Sequence, residues 1–126
     1  MKYLCLICAE TRYMMENRNE ADAAAHFEEY RAFTREIRDG GQFVAASRLR
    51  PPDAAITVRV RNGRTTTTDG PFVETKEHIG GFYIVEAKNL NEAIQIASRI
   101  PGARYGCVEV RPIAEDAPTQ RAIGED

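Results

Sequence analysis

Hydrophobic positions along the chain fall into short alternating runs and two longer periodic stretches, and each pattern predicts a different element. Lys2–Ala9 (KYLCLICA) is apolar at odd and even positions alike, which predicts a strand covered on both faces. From about Glu20 to Arg38, the residues Ala23, Phe27, Tyr30, Phe33 and Ile37 recur every three or four positions, with Glu28, Arg31 and Arg35 opposite. That spacing predicts a helix with one buried stripe. A turn at Asn17–Asn19 precedes it, and Gly40-Gly41 ends it, because glycine takes the left-handed conformation that helix C-termini favour. Gln42–Arg48 is a second strand, stopped by Pro51-Pro52. Ile56–Arg61 alternates Ile56, Val58 and Val60 with Thr57, Arg59 and Arg61, and Asn62-Gly63 then supplies a tight turn before Arg64–Thr68, so a β-hairpin is expected. Asp69-Gly70-Pro71-Phe72 forms a turn, and Gly81–Ala87 is a strand again apolar on both faces. Asn89 caps a second helix, with Glu92 completing a capping box and Leu90, Ala93, Ile94, Ala97 and Ile100 as its buried stripe. Pro101-Gly102 stops that helix, Tyr105–Arg111 is the last strand, and Ala114–Asp126 is a flexible polar tail.

The order is strand, helix, strand, hairpin, strand, helix, strand. Without the inserted hairpin it is βαββαβ, an α+β arrangement of the ferredoxin-like kind, with an antiparallel sheet and two helices on one face. Two helices cover only one side of such a sheet. The first strand nevertheless carries Tyr3, Cys5 and Ile7 on one face and Leu4, Leu6 and Cys8 on the other. The second apolar face calls for a partner, and a second copy of the chain is the simplest one, so a homodimer joined through its sheet faces is expected.

Composition narrows the setting. The 126 residues, with 43% hydrophobic and 29% charged positions, suit one globular domain, here residues 1–113 followed by the tail. The longest apolar run, Tyr3–Ala9, is far short of the ~20 residues of a membrane span and is placed too early for a usual secretory signal. A net charge of −2 without a large basic cluster argues against nucleic acid as a partner. Three cysteines cannot all pair within one chain, so a reducing, cytoplasmic location is expected. Cys5-Leu6-Ile7-Cys8 has CxxC spacing, but inside a strand residues three apart point to opposite faces. Cys107, His26 and His78 are not at ligand spacing, so no metal and no cofactor is expected, and the cysteines read as core packing.

The densest group of ionisable residues is Asp69, Glu74, Lys76, Glu77 and His78, beside the turn. As a pocket mouth, Asp69 or Glu74 serves as general base or acceptor and Lys76 holds an anionic group. The plainer account is an aspartate capping a turn beside solvated charges. His26 lies one helical turn before Tyr30 on the stripe side of the first helix, an imidazole at the core edge whose ordinary pKa is near neutral. Tyr30 reads either as a core aromatic or as a hydroxyl pointing into a cavity between helix and sheet. Arg48, at the end of the second strand, is suited to binding a carboxylate or phosphate bidentately, or is a surface arginine. Arg59, Arg61 and Arg64 flank the hairpin turn, either to dock an acidic partner or to discourage edge pairing.

The segment Asp69–Phe82, DGPFVETKEHIGGF, resembles the signature of the DGPF subgroup of the YciI-like, YCII-related proteins, and MKYLCLI, YRAFT, residues 57–67 and IPGARYGCVEVRP also look like that subgroup. The resemblance spans about residues 1–113. It implies a ferredoxin-like protomer of the dimeric α+β barrel superfamily, and adds weight to Asp69 and Lys76. Members are mostly uncharacterised, and some occur beside or fused to sigma-factor-like regulators. The wider family's proposed histidine–aspartate pair falls on Tyr30 and Ile100 here, so that dyad does not carry over. The expected function is therefore a homodimer with a small-molecule pocket rimmed by Asp69, Lys76 and Tyr30, with His26, Arg48, Glu74 and His78 binding ligand, and with metal-independent acid–base chemistry. The alternative is a non-catalytic regulatory or interaction module that meets a sigma-factor-type regulator.

Overall fold

Strand β1 (Lys2–Glu10) pairs antiparallel with β5 (Glu77–Glu86) on one side and with β6 (Cys107–Pro112) on the other, and β2 (Phe43–Arg48) closes the far edge. The sheet order is β2-β5-β1-β6 in the computed structural model, which describes residues 1–10, 20–72 and 76–115. The expected turn at Asn17–Asn19, Glu74 and residues 116–126 of the tail lie outside the described residues. Two helices, α1 (Glu20–Asp39) and α2 (Leu90–Ser98), follow β1 and β5, so the chain has the α+β, ferredoxin-like order. No helix among the described residues is long and apolar enough to cross a membrane.

Alternation sorts β1 as expected. Tyr3, Cys5 and Ala9 are buried on the helix side, while Leu4, Leu6 and Cys8 are half-buried on the other face. Leu4 opposes Ile84 and Leu6 opposes Phe82 in the ladder with β5, so the face away from the helices is apolar across both central strands. The core joins Tyr3, Cys5, Tyr83 and Val85 of the sheet to Phe33 and Ile37 of α1 and to Ala93, Ile96 and Ile100 at α2.

The helix ends follow local chemistry. Gly41, at φ +75°, closes α1: its N–H donates to Arg38 O (3.1 Å) and the Gln42 N–H to Ile37 O (2.8 Å), the paired bonds of a Schellman ending. At α2 the Asn89 side chain accepts from the Glu92 N–H at 2.9 Å, whereas the Glu92 carboxylate accepts from the Lys88 N–H rather than from that of Asn89. The buried stripe of α2 also differs from expectation. Leu90 and Ile94 are exposed, and Ile96 takes the buried position with Ala93, Ala97 and Ile100, a spacing of three, one and three that keeps one face on the sheet.

β3 (Ile56–Arg61) and β4 (Arg64–Asp69) pair with each other around Asn62 (φ 54°) and Gly63 (φ 73°), the two positive dihedrals a tight hairpin turn needs. Ile56, Val58 and Val60 on β3 are each more than half exposed. The last strand begins later than its pattern predicts, because a 3₁₀ turn at Pro101–Arg104 places Tyr105 before the strand.

Candidate functional site

Helix α1 loses its hold on the core toward its N-terminus. Phe33 and Ile37 are buried, but Phe27, expected in the same stripe, is about half exposed, and Ala23, His26 and Tyr30 are only partly covered. Periodicity fixes which way these side chains point, not how close the sheet comes. The gap is a cleft of about 510 Å³ between the N-terminal half of α1, the end of β2 and the middle of β5. That lies within the ~300–1,000 Å³ usual for small-molecule sites.

Glycines make the room. A Cβ at Gly81 would meet the Ser47 carbonyl oxygen at 2.8 Å, and one at Gly102 would meet both the Tyr30 hydroxyl and Ile7 at 2.7 Å. The Gly102 N–H donates to the Tyr30 hydroxyl (3.1 Å), which fixes that ring. Tyr30 lies parallel to Tyr83, centroids 6.5 Å apart, and meets the His26 ring edge-on at 4.9 Å; His26 also meets Tyr105 edge-on at 5.9 Å. The Tyr83 and Thr34 hydroxyls are 2.7 Å apart. Burial pushes the Tyr83 phenol up from its ordinary pKa, partly offset by that bond.

Arg48 enters the cleft because of a bulge. Phe43 opposes Val85 and Ala45 opposes Ile84, so Val44 is an extra residue that reverses the alternation, and Arg48 then shares the face of Gly81 and Tyr83. Its guanidinium carbon lies 5.1 Å from the Phe27 ring centroid, a cation–π distance. Among the described residues that line the cleft, Arg48 is the one permanent charge, and no carboxylate joins it.

The structure thus brings together His26, Tyr30 and Arg48 from the expected set. Asp69 and Lys76 are not among the cleft's lining residues. Asp69 is exposed at the end of β4 opposite Ile56, where the following turn is closed by the Gly70 N–H on Ala55 O (2.7 Å) and the Thr57 hydroxyl on Gly70 O (2.8 Å). Lys76, also exposed, pairs with Glu10 at 3.4 Å. His78 sits on β5 opposite Ala9, half-buried. Glu74 is outside the described residues.

Tyr83, Tyr105 and Gly102 are site residues that pattern reading missed. The residue pattern extends the last strand to Tyr105, yet this residue stands between Gly102 and Gly106, a local signal for a bend before the strand begins. The cysteines divide. Cys5 is fully buried, and burial pushes its thiol up to about 11; Cys107 is exposed and is not a core residue as expected, because it opens an edge strand on the face away from the helices. No three His, Cys, Asp or Glu side chains converge on a common point among the described residues.

In comparisons with known proteins, the YCII-related domain family matches residues 1–116. An uncharacterized protein of Rhizobium meliloti (strain 1021) is 40% identical over 85 residues, which is 66% of this chain and 68% of that protein.

Proposed function

The chain belongs to the YCII-related domain family, and we propose that it is a homodimeric protein whose cleft binds a small aromatic molecule carrying one anionic group. The observation that carries this reading is the wall of the cleft: aromatic rings on several sides, one guanidinium and no carboxylate among the described lining residues. An anion on an aromatic frame matches both features, the guanidinium taking it bidentately and the rings stacking on the frame. His26, at the edge of Tyr30 and Tyr105, is the imidazole among the described lining residues and the group proposed to move a proton, so acid–base chemistry without a metal is the reaction type proposed for this site. Asp69 and Lys76 then act outside the cleft, at the strand ends where the fold holds them.

The chain is assigned to the DGPF subgroup on Asp69–Phe82, β3–β4 is the hairpin inserted into a βαββαβ order, and two copies join their open sheet faces in a dimeric α+β barrel. A reducing, cytoplasmic setting suits its unpaired thiols. One observation favours a second reading: β3 exposes Ile56, Val58 and Val60 on one face and carries Arg59 and Arg61 on the other, a surface suited to docking another protein such as a sigma-factor-type regulator.

Titration with benzoate, benzyl alcohol and benzylamine, followed through backbone amide shifts, tests the choice. Benzoate is expected to move the Gly81 and Gly102 amides and to bind at least ~10-fold more tightly than the other two, with Arg48→Gln abolishing the preference. Equal weak binding of all three, or no shift at the cleft in a folded protein, sinks the small-molecule reading and leaves the docking one.

A further inference from the structure

Two cysteines far apart in sequence meet across strands. β1 and β6 keep an unbroken register from Tyr3 opposite Pro112 to Cys8 opposite Cys107. Directly opposed residues project from the same face of a sheet, here the one away from the helices. The Ile113 N–H donates to Lys2 O at 3.0 Å, which sets the phase of the ladder: every second pair from there, ending at Cys8 and Cys107, is a hydrogen-bonded pair. Such pairs hold their Cα atoms about 5.5 Å apart, within the range disulfides span, but their Cβ atoms stand about 1 Å wider than the bond takes, so the two strands draw together when it forms. Both are free cysteines, and the Cys107 thiol adds to the upward push that burial gives the Cys8 thiol. Cys107 is exposed and donates to the Glu77 carboxylate at 3.6 Å, and Cys8 is half-buried. Cys5, near Cys8 in sequence, faces the core instead.

We propose that Cys8 and Cys107 form a reversible cross-strand disulfide, a two-electron redox site whose oxidant is a small-molecule disulfide. Cys107 lies on the sheet face that the proposed dimer covers, so exchange starts from the separated chain. There its exposed thiolate attacks one sulfur of that disulfide, forming a mixed disulfide and releasing one small thiolate. The Cys8 sulfur then attacks the Cys107 sulfur, forming the protein S–S bond and releasing the second thiolate. Two protein thiols are oxidised, one small disulfide is reduced to two thiols, and the two protons pass to the leaving sulfurs. Burial pushes the Cys8 thiol up to about 11, and burial with the facing Glu77 and Glu109 carboxylates raises that of Cys107. Both groups are therefore thiols at neutral pH, exchange is slow there, and it quickens as pH rises. A high-pKa sulfur is also a poor leaving group, so reduction back to the two thiols by a small thiolate is slow as well. It would tie β6 to β1 beside the cleft, since Ile7 and Ala9 flank Cys8 and line it, and Tyr105, another lining residue, stands two positions before Cys107.

The test is to equilibrate the whole protein with excess oxidised glutathione, block remaining thiols and map the peptides. The intact mass is expected to fall by two hydrogens, with Cys8 joined to Cys107 and Cys5 blocked. Cys8→Ser is expected to stop at a glutathione adduct on Cys107, and Cys107→Ser to give no intrachain link. The oxidised protein is expected to melt about 5–15 °C higher than the reduced one. The rate is expected to grow about tenfold per pH unit between roughly pH 7 and 9. Full blocking of both Cys8 and Cys107 in the wild-type protein after equilibration overturns the proposal, as does a Cys5–Cys8 link or a link between chains.

Discussion

Cys5 shows how a single buried residue couples stability to pH. It is fully buried in the core, and burial alone pushes its thiol from 9.0 to about 11. Between those values the folded chain keeps a proton that the unfolded chain releases. Its contribution is therefore complete below the unfolded pKa and is lost as pH rises toward the folded one. Two units correspond to about 2–3 kcal/mol. Urea unfolding of wild type and Cys5→Ala at neutral and strongly alkaline pH checks this: the gap between them is expected to shrink by about 2 kcal/mol. A gap of constant size would assign the alkaline loss to the other groups raised in the same direction, Cys8, Cys107 and Tyr83. The identity of such residues was legible in the sequence, but their direction was only partly so. Alternation along β1 separates Cys5 from Cys8 directly. Arg48 needed the bulge at Val44, which leaves no mark in the residue pattern, to turn toward the cleft.

At the scale of elements, what shapes the cleft is the 3₁₀ turn after α2. Pro101–Arg104 stands against the N-terminal half of α1 through the Gly102 N–H on the Tyr30 hydroxyl and the ion pair of Arg104 with Glu29. The ion pair is exposed and adds little. The Gly102 contact matters more, because a Cβ there would stand 2.7 Å from the Tyr30 hydroxyl. Gly102→Ala is expected to cost about 1–3 kcal/mol in urea unfolding and to weaken benzoate binding, while Gly63→Ala, far from the cleft on the hairpin turn, leaves benzoate binding unchanged. If Gly102→Ala binds benzoate as wild type does, the turn is not what holds Tyr30. Most elements were legible because each has its own local signal: the Gly40-Gly41 stop, the Asn89 cap and the Asn62-Gly63 turn all form as their chemistry dictates. The failures concern the second partner. Phe27 lies on the correct side of α1 but over a gap, and Leu90 and Ile94 yield the buried face of α2 to Ile96. Neither outcome can be read from one helix without the surface it meets.

At the scale of the molecule, the sheet has one face under helices and one that is apolar without them. Leu4 and Leu6 on β1 oppose Ile84 and Phe82 on β5, a continuous patch across the two central strands. The hairpin adds Ile56, Val58 and Val60, all exposed. A single chain leaves the first surface half-buried and the second exposed to water, which soluble proteins rarely do over contiguous apolar areas. The alternation in β1 made the first of these legible from sequence; where the hairpin is carried was not, since nothing in residues 56–69 encodes its placement against the sheet. Under the proposed dimer the two surfaces make separable predictions. Sedimentation of the wild-type protein at micromolar concentration is expected to give a dimer. Leu6→Lys places a charge in the middle of the sheet patch, and burying it unpaired would cost several kcal/mol. That variant is expected to sediment as a folded monomer with unchanged far-ultraviolet circular dichroism. Val58→Lys, on the hairpin, tests whether β3 belongs to the same interface: a monomer places it there, and a dimer that persists leaves β3 free for a different partner. A wild-type monomer, or a Leu6→Lys dimer, shows that the open sheet face is not where two copies meet.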